Sequence, residues 1–419
     1  MLEQLDDKNF PVKLASSLTS QLAVNSITGE EEMGGLFVFQ MELLSPDPEL
    51  HFDDIVGQQV AASLIIEGGE RYFNGFITEF RYTGAVGRLA KYQAIVRPWF
   101  WFLTRTSDCR IFQKTKVPDI IKEVFRLNGM ADFEDRLSGK YREWEYCVQY
   151  RESDFNFISR LMEQEGIYYY FEHQAQKHTL VLADDSNAHK EFPGYETIKF
   201  HTEWGEQTAQ EDHLDFWTTT QSIMPSKYAI QDFDFKNPKA KLLSKHTQPI
   251  KHSNPLGDPE IFDYPGEYVT GAEGKEYVEI RLEELQCQHE RVQAGGNTRG
   301  ISPGYRFAFI EHPRADQNKE YLTISVRHTI NNQSFIAGEG DTGKVYSCQL
   351  EVMDKLKPFR PARVTPKPMV QGPQTAIVVG PAGEEIYTDE YGRVKVQFHW
   401  DRYGEKNENS SCWIRVSQI

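Results

Sequence analysis

The chain has 419 residues, with 46 Lys and Arg against 62 Asp and Glu, a formal net charge of −16. Hydrophobic residues make up 39%, so the chain can bury a real core and is not of disordered composition; at ~100–200 residues per domain, two to four domains are expected. The acidic balance argues against broad binding to nucleic acid or to an anionic membrane, either of which needs a basic surface.

Cys109, Cys147, Cys287, Cys348 and Cys412 are widely spaced, odd in number and form no CxxC, which favours free thiols in a reducing compartment over a disulfide framework. The acidic start, Met1-Leu-Glu-Gln-Leu-Asp-Asp, is not a signal peptide, and no apolar run approaches the ~18 residues of a membrane span. The chain reads as a soluble protein made in the cytoplasm.

Short β-type runs come first: Leu36 to Phe39, Ser63 to Ile66 and Tyr72 to Ile77, each bounded by Gly, Pro or Asp, with a hairpin turn at Gly68-Gly69. The aromatic run Trp99-Phe-Trp-Phe-Leu103 could stack bases or sugars, but aromatics on both faces predict a doubly buried strand. Pro118 and Asp119 open a helix near 118–128, with Ile120, Ile121, Val124 and Phe125 as its apolar face and Gly129 as its stop. Ser153 is the expected N-cap of a second helix near 153–165, stopped by Gly166. A strand at Ile167 to Phe171 then pairs with Thr179 to Leu182. A long helix is expected near 272–294, with a seam of Val278, Leu282, Leu285, His289 and Val292.

A weak internal repeat joins these elements. Three strands from Gly57 to Val96 recur in order as Tyr305 to Ile310, Tyr321 to Thr329 and Val345 to Val352, offset by about 250 residues. The repeat means either two copies of one barrel or the default likeness of antiparallel meanders. Five prolines between Pro358 and Pro373 suit an extended connector. Beyond it, Val394, Val396, Phe398 and Trp400 alternate with Arg393, Lys395, Gln397 and His399, as in a half-buried strand. Only about three strands follow the connector, and a closed OB-fold needs about five. The chain is therefore expected to be truncated, with the functional polypeptide longer.

Motifs for chemistry are weak. Gly338-Glu-Gly-Asp-Thr-Gly343 matches GxGxxG by letters, but a strand-like run follows where a dinucleotide site needs a helix. Cys287, His289 and Glu290 are metal-ligand types that point to different faces of one expected helix, and His246, His252 and His312 lie in Pro-rich loops. Glu163, Glu165 and Glu172 could be imagined as a glycosidase pair, a geometry no spacing establishes. No catalytic residue, metal or cofactor is expected.

Three longer motifs carry a resemblance. Asp389 to Arg402, which includes Tyr391, Gly392, Arg393, Val394, Val396, Phe398 and Trp400, together with Ser410 to Gln418 around Trp413, resembles the VgrG proteins, spikes of the bacterial type VI secretion system. Phe157 to His173, with Arg160, Gly166, Tyr168, Tyr169 and Tyr170, is similar to a hub signature of that family, and Arg97 to Arg105 to another. The resemblance implies a mainly β fold with two related hub barrels and an inserted α/β region. On that reading 1–105 is the first barrel, 106–190 the insertion and 191–357 the second barrel. Residues 358–374 are the linker, and 375–419 begin an OB-fold whose β-helix needle is absent from this chain. It further implies a homotrimer on the Hcp tube, a PAAR-type tip protein on the needle, and effectors or adaptors as partners. Such a spike is non-enzymatic, cytoplasmic before firing and then secreted without a signal peptide. A phage-like contractile tail hub, or a spike with an enzymatic domain beyond residue 419, are the alternatives.

Overall fold

The computed structural model describes residues 11–15, 18, 21–201, 211–250, 255, 257–332 and 345–417. The chain is mainly β. The first unit holds β1 (Val12–Leu14), β2 (Ala23–Glu32), β3 (Val38–Ser45), β4 (Gln59–Ile66), β5 (Gly69–Val86) and β6 (Leu89–Arg97). A first insertion follows: β7 (Ser107–Lys116), α1 (Val117–Leu127), β8 (Phe133–Asp135), β9 (Glu143–Ser153), α2 (Asp154–Glu165), β10 (Tyr168–His173), β11 (His178–Ala183) and β12 (Lys190–Glu191). The second unit begins with β13 (Thr197–Phe200) and β14 (His213–Gln221). A second insertion of β15 (Lys227–Gln231), β16 (Leu243–Thr247), β17 (Glu260–Asp263) and α3 (Gly271–Gln286) interrupts it. It resumes as β18 (Glu290–Gly296), β19 (Tyr305–Ile310), β20 (Glu320–Asn331) and β21 (Tyr346–Asp354). A three-stranded antiparallel sheet ends the chain, β22 (Ala376–Val378), β23 (Arg393–Phe398) and β24 (Cys412–Arg415).

The weak repeat is a repeat of topology. The first unit pairs in the order β1-β4-β5-β6-β3-β2, and the second in the order β13-β19-β20-β21-β18-β14, with β14 returning to β13 to close a six-stranded barrel. Numbered within their own units, the strands follow one order. The copies differ where β1 runs antiparallel to β4 but β13 parallel to β19. In the first unit the gap between β1 and β2 is stitched by Asn332, whose Nδ2 donates to the carbonyls of Val12 (2.8 Å) and Val24 (3.0 Å). The two units fuse through one antiparallel pair, β2 on β20, from Ser26↔Asn331 to Glu32↔Ser325.

Local chemistry fixes the helices. Ser153 Oγ caps α2 by accepting from Asn156 N at 3.1 Å, and Gly166 ends it in the left-handed region at φ 72°. Thr270 and Glu273 form a reciprocal capping box at the start of α3.

Two sequence expectations fail. The long helix stops at Gln286, and Val292 lies in β18, between β14 and β21, where it completes the barrel. The seam's 4-3-4-3 spacing was overridden by sheet closure, a tertiary gain larger than local helix preference. The aromatic run is a 3₁₀ helix, Trp99–Thr104, not a strand. Pro98 precedes it and cannot donate to a ladder, and a near-threefold period buries Trp99, Phe100 and Leu103 together.

Gly166 carries a direct test. A Cβ there would sit 2.9 Å from Ile280 Cγ2 and 3.2 Å from Arg360 Nη1, on a backbone that side chains rarely adopt. Gly166→Ala is expected to cost about 1–3 kcal/mol and to lower the thermal midpoint; an unchanged midpoint by calorimetry would contradict this placement.

Candidate functional site: a buried charged seam and a docked neck

Beside the β2–β20 junction the interior holds a charged cluster. Glu31 lies on the inward face of β2 and is 4% exposed. Its Oε1 meets Arg71 Nη2 (β5) at 3.3 Å and His328 Nε2 (β20) at 2.9 Å, and its Oε2 meets His173 Nε2 (β10) at 3.0 Å. Second partners complete the set. Tyr346 Oη bonds His328 Nδ1 at 2.8 Å, Asn74 N donates to His173 Nδ1 at 3.1 Å, and Arg71 Nη1 donates to the Arg299 carbonyl at 2.7 Å. One carboxylate thus binds the first unit, the second unit and the first insertion at once.

Burial alone would raise the Glu31 carboxyl; the charge and hydrogen bonds of His173 and His328 hold it well below the usual carboxylate range. Burial, with Arg71 adjacent, pushes His328 down to about 4. Burial also depresses His178, and it carries His189 to about 4 against a bond to the Gly304 carbonyl.

Outside the seam, β3, β2, β20, β21, β18 and β14 form one continuous concave face of both units, enclosing about 1220 Å³. Its lining is mixed, and its charged side chains are mostly acidic, with Glu30, Glu32, Asp215 and Glu351 against Arg327, which pairs with Glu30. Burial and the neighbouring Glu30 and Glu351 raise the Glu32 carboxyl.

The hub-signature residues are scaffold. Arg160 grips Glu152 through Nε and Nη2 (2.9 and 2.7 Å) and the Val148 carbonyl (2.7 Å). Gly166 presents its carbonyl to Arg360. Tyr168 Oη meets His189 Nε2 at 2.9 Å, Tyr169 packs on Phe100 and Phe171, and Tyr170 Oη donates to the Ala188 carbonyl at 3.0 Å.

The neck residues sit on the two-stranded β7–β9 sheet, which reverses part of the expected strand polarity. Arg393, Lys395 and Gln397 are buried, whereas Val394 and Phe398 are only half-buried. Lys395 Nζ donates to Gln113 Oε1 at 3.1 Å, and Arg393 pairs with Glu145 (3.3 Å) and Asp389 (2.5 Å). Trp413 N donates to Tyr146 Oη at 2.9 Å, Trp400 packs against Tyr150, and Val396 is buried. Gly392 makes the turn into β23 at φ 66°, and Tyr391 lies against Phe235. That sheet supplies polar partners, so the polar face is the covered one. Arg402 and Tyr403 both reach Asp108 on β7, at 2.7 and 2.5 Å. Burial would raise the Asp108 carboxyl; bonds from Tyr403, Arg110, the Cys109 amide and Arg402 take it down to about 2.

The Pro-rich connector is extended but tied down. Glu163 accepts from Val364 N, Thr365 N and Thr365 Oγ1, and Arg360 pairs with Glu283 and donates to the carbonyls of Gly166 and Asp184. Glu165 accepts from Trp144 and Tyr277, and Glu172 pairs with Arg136 and Lys190. The three imagined glycosidase carboxylates therefore hold separate partner sets in the scaffold. Cys287 ends α3, His289 Nδ1 lies 2.6 Å from the Ser222 carbonyl, and Glu290 pairs with Lys319, so these three are dispersed. Among the described residues no group of three or more His, Cys, Asp or Glu could hold a metal ion. His246 lies in β16 and His312 packs on Phe200, while His252 and Gly338 to Gly343 fall outside the described residues. The strand β21 follows the glycine-rich segment.

Sequence reasoning missed the seam. The signal was Glu31 at period two between Gly29 and Met33 and in phase with Ile27, on the inward face of a strand written Gly-Glu-Glu-Glu.

Two fused six-stranded units of one strand order, with an α/β insertion and a docked three-stranded neck, define a tail-hub-like β-protein. A family model described as phage tail baseplate hub (GPD) matches residues 30–334. The type VI secretion system spike protein VgrG1b of Pseudomonas aeruginosa is 45% identical over 97% of this chain and 55% of its own length; VgrG1a of the same organism is 46% identical over 95% and 61%. VgrG3 of Vibrio cholerae is 32% identical over 98% and 41%. The chain spans about half the length of the curated relatives it matches. Among solved structures, the Escherichia coli c3393 protein superposes with a TM-score of 0.69 at 18% identity, over 94% of this chain and 91% of that one. It is described as a type VI secretion component similar to the T4 tail proteins gp27 and gp5. The 43 kDa tail protein of prophage MuSo2 from Shewanella oneidensis gives 0.53 at 12% identity, over 82% and 98%. The chain belongs to the phage tail baseplate hub family, on its VgrG branch.

Two outcomes test the site. Unfolded histidines take up protons near pH ~6.5, whereas His189 and His328 stay neutral to about 4. The unfolded state binds more protons in that window, so stability falls as pH drops from ~6.5 towards 4, by up to ~1.4 kcal/mol per pH unit for each histidine. Urea midpoints at pH 7.5 and 5 check this; a midpoint that holds or rises contradicts it. Asp108→Ala should release the neck without unfolding the barrels. Loss of charged hydrogen bonds worth about 1.5–3 kcal/mol each should speed proteolysis of residues 358–417 at least about tenfold; equal cleavage rates contradict it.

Proposed function

We propose that three copies of this chain form the hub of a type VI secretion spike, seated on the end of the Hcp tube and driven with it through a target membrane by sheath contraction, carrying effectors. The observation that carries this reading is the shared strand order of the two units. Three chains with two such units each would offer six near-equivalent barrels to a sixfold tube, and the neck sheets would pass the assembly to threefold symmetry.

The concave face supports an axial lining. It crosses both units without a break, and its charged side chains are mostly acidic. Repeated in three copies it would give the channel a negative field, which disfavours nucleic acid as a partner. The domain division at 105, 190, 357 and 374, the contact with a PAAR-type tip through a needle, and the binding of effectors or adaptors belong to this same proposal. So does synthesis in the cytoplasm before secretion by the type VI apparatus. No helix among the described residues is long and apolar enough to cross a membrane.

A non-enzymatic role fits these parts. The energy would come from the sheath, and what the hub must supply is stiffness. The seam, the tied connector and the docked neck each join elements far apart in sequence by buried or charge-assisted bonds.

Light scattering on the purified protein tests the assembly. One chain weighs 48.5 kDa, so a mass near three times that is expected. A monomeric mass would overturn the reading.

A further inference from the structure

The second insertion ends in an exposed tip. β15 and β17 run parallel and finish together at Gln231 and Asp263, beside the start of β16 at Leu243. That convergence places Phe233, Leu243, Phe262 and Tyr264 at one end of the small sheet, where they are 48–58% exposed. The helix α3 covers the face that carries Tyr228 and Ile230, whereas Lys245 and Phe262 point from the opposite face. Four aromatic or aliphatic side chains left in water at one end of a three-stranded sheet mark a contact surface.

The β15–β16 loop at this tip is locally basic. Between Phe233 and His246 there are four lysines, Lys236, Lys239, Lys241 and Lys245, and one acid, Asp234, in a protein of net charge −16, with Asp232 and Asp263 flanking the loop. Lys236 and Lys245 are paired to Glu145 and Glu260, while Lys239 and Lys241 are exposed and make no ion pair among the described residues. The surface therefore joins exposed apolar side chains to the two exposed lysines Lys239 and Lys241.

Its complement lies on the first unit. The β3–β4 loop carries Asp47, Glu49, Asp53 and Asp54, all exposed, with no Lys or Arg from Ser45 to Gln58. The same loop exposes Phe52 (41%) and Val56 (44%). It is a braced surface, since Tyr92 Oη donates to the Asp47 carbonyl at 3.0 Å and Phe52 packs edge-on to Phe80. An apolar basic tip on the second unit and an apolar acidic loop on the first are two different patches. Two such patches on one chain make a heterologous contact, the kind that closes a cyclic ring.

We propose that the β15–β17 tip of one copy docks on the 47–56 loop of the next copy. The inference rests on the trimeric reading and names the surfaces that join unlike units around the ring. Apolar contact would come from Phe233, Leu243 and Phe262 against Phe52 and Val56, and orientation from Lys239 and Lys241 against Asp53 and Asp54.

The test uses the purified protein with Phe262→p-benzoylphenylalanine, irradiated and read on denaturing gels and by peptide mass. The expected result is a crosslinked species of two chains that joins position 262 to residues 47–56. Lys239→Glu with Lys241→Glu should cut its yield at least about tenfold through like-charge contact, and adding Asp53→Lys with Asp54→Lys should restore it. A trimeric mass with no such crosslink, with a crosslink elsewhere, or with no rescue by the charge swap overturns the docking proposal and leaves the trimer standing. A monomeric mass for the unsubstituted protein overturns both.

Discussion

A carboxylate with almost no access to water governs this structure. Taking an ionised Glu31 out of water costs several kcal/mol unless partners replace the lost hydration. Here they come from three places: Arg71 on β5, His328 on β20 and His173 on β10. None of the three is near Glu31 in sequence. The charge is satisfied only when the first unit, the second unit and the first insertion are all in place. Partial docking leaves a buried charge short of partners, and that penalty makes the arrangement all-or-none. Removing one partner is the damaging change, at about 3–5 kcal/mol.

The same logic extends outward to the neck. The connector is where slack would enter between the barrel units and the neck. Proline supplies stiffness there, and side chains supply attachment. Glu163 accepts three bonds from residues 364 and 365, and Arg360 reaches two carbonyls and a carboxylate. Beyond it, the neck lies on the two-stranded β7–β9 sheet through Lys395 and Arg393 of β23 and Trp413 of β24. Each contact is charge-assisted or shielded from water, so each resists displacement more than an exposed ion pair would.

Much of this was legible in the sequence. The caps of α1 and α2, the β10–β11 pair and the meander repeated at β4–β6 and β19–β21 all follow from local residues and their periods. The failures share a physical cause. Val292 kept a helical period and went into a strand because the barrel needed a sixth member between β14 and β21. Trp99 to Thr104 wound into a 3₁₀ helix because Pro98 ended the ladder. Lys395 read as solvent-facing and is buried because strand β7, 282 residues upstream, offers Gln113. Glu31 could be placed on an inward face by alternation, but nothing within one strand tells which distant groups neutralise it. Pairings across hundreds of residues are tertiary facts, and local periodicity carries no record of them.

Native-state hydrogen exchange on β2 and β20 tests the central claim, that the buried seam makes the two units one cooperative body. The account predicts that amides of Thr28 to Glu32, Ser325 to Thr329 and the far strands β5 and β18 all exchange with the free energy of global unfolding, and that Glu31→Gln lowers all of them together. Separate opening free energies for the two units, or loss of protection confined to the strands that touch residue 31, would contradict it.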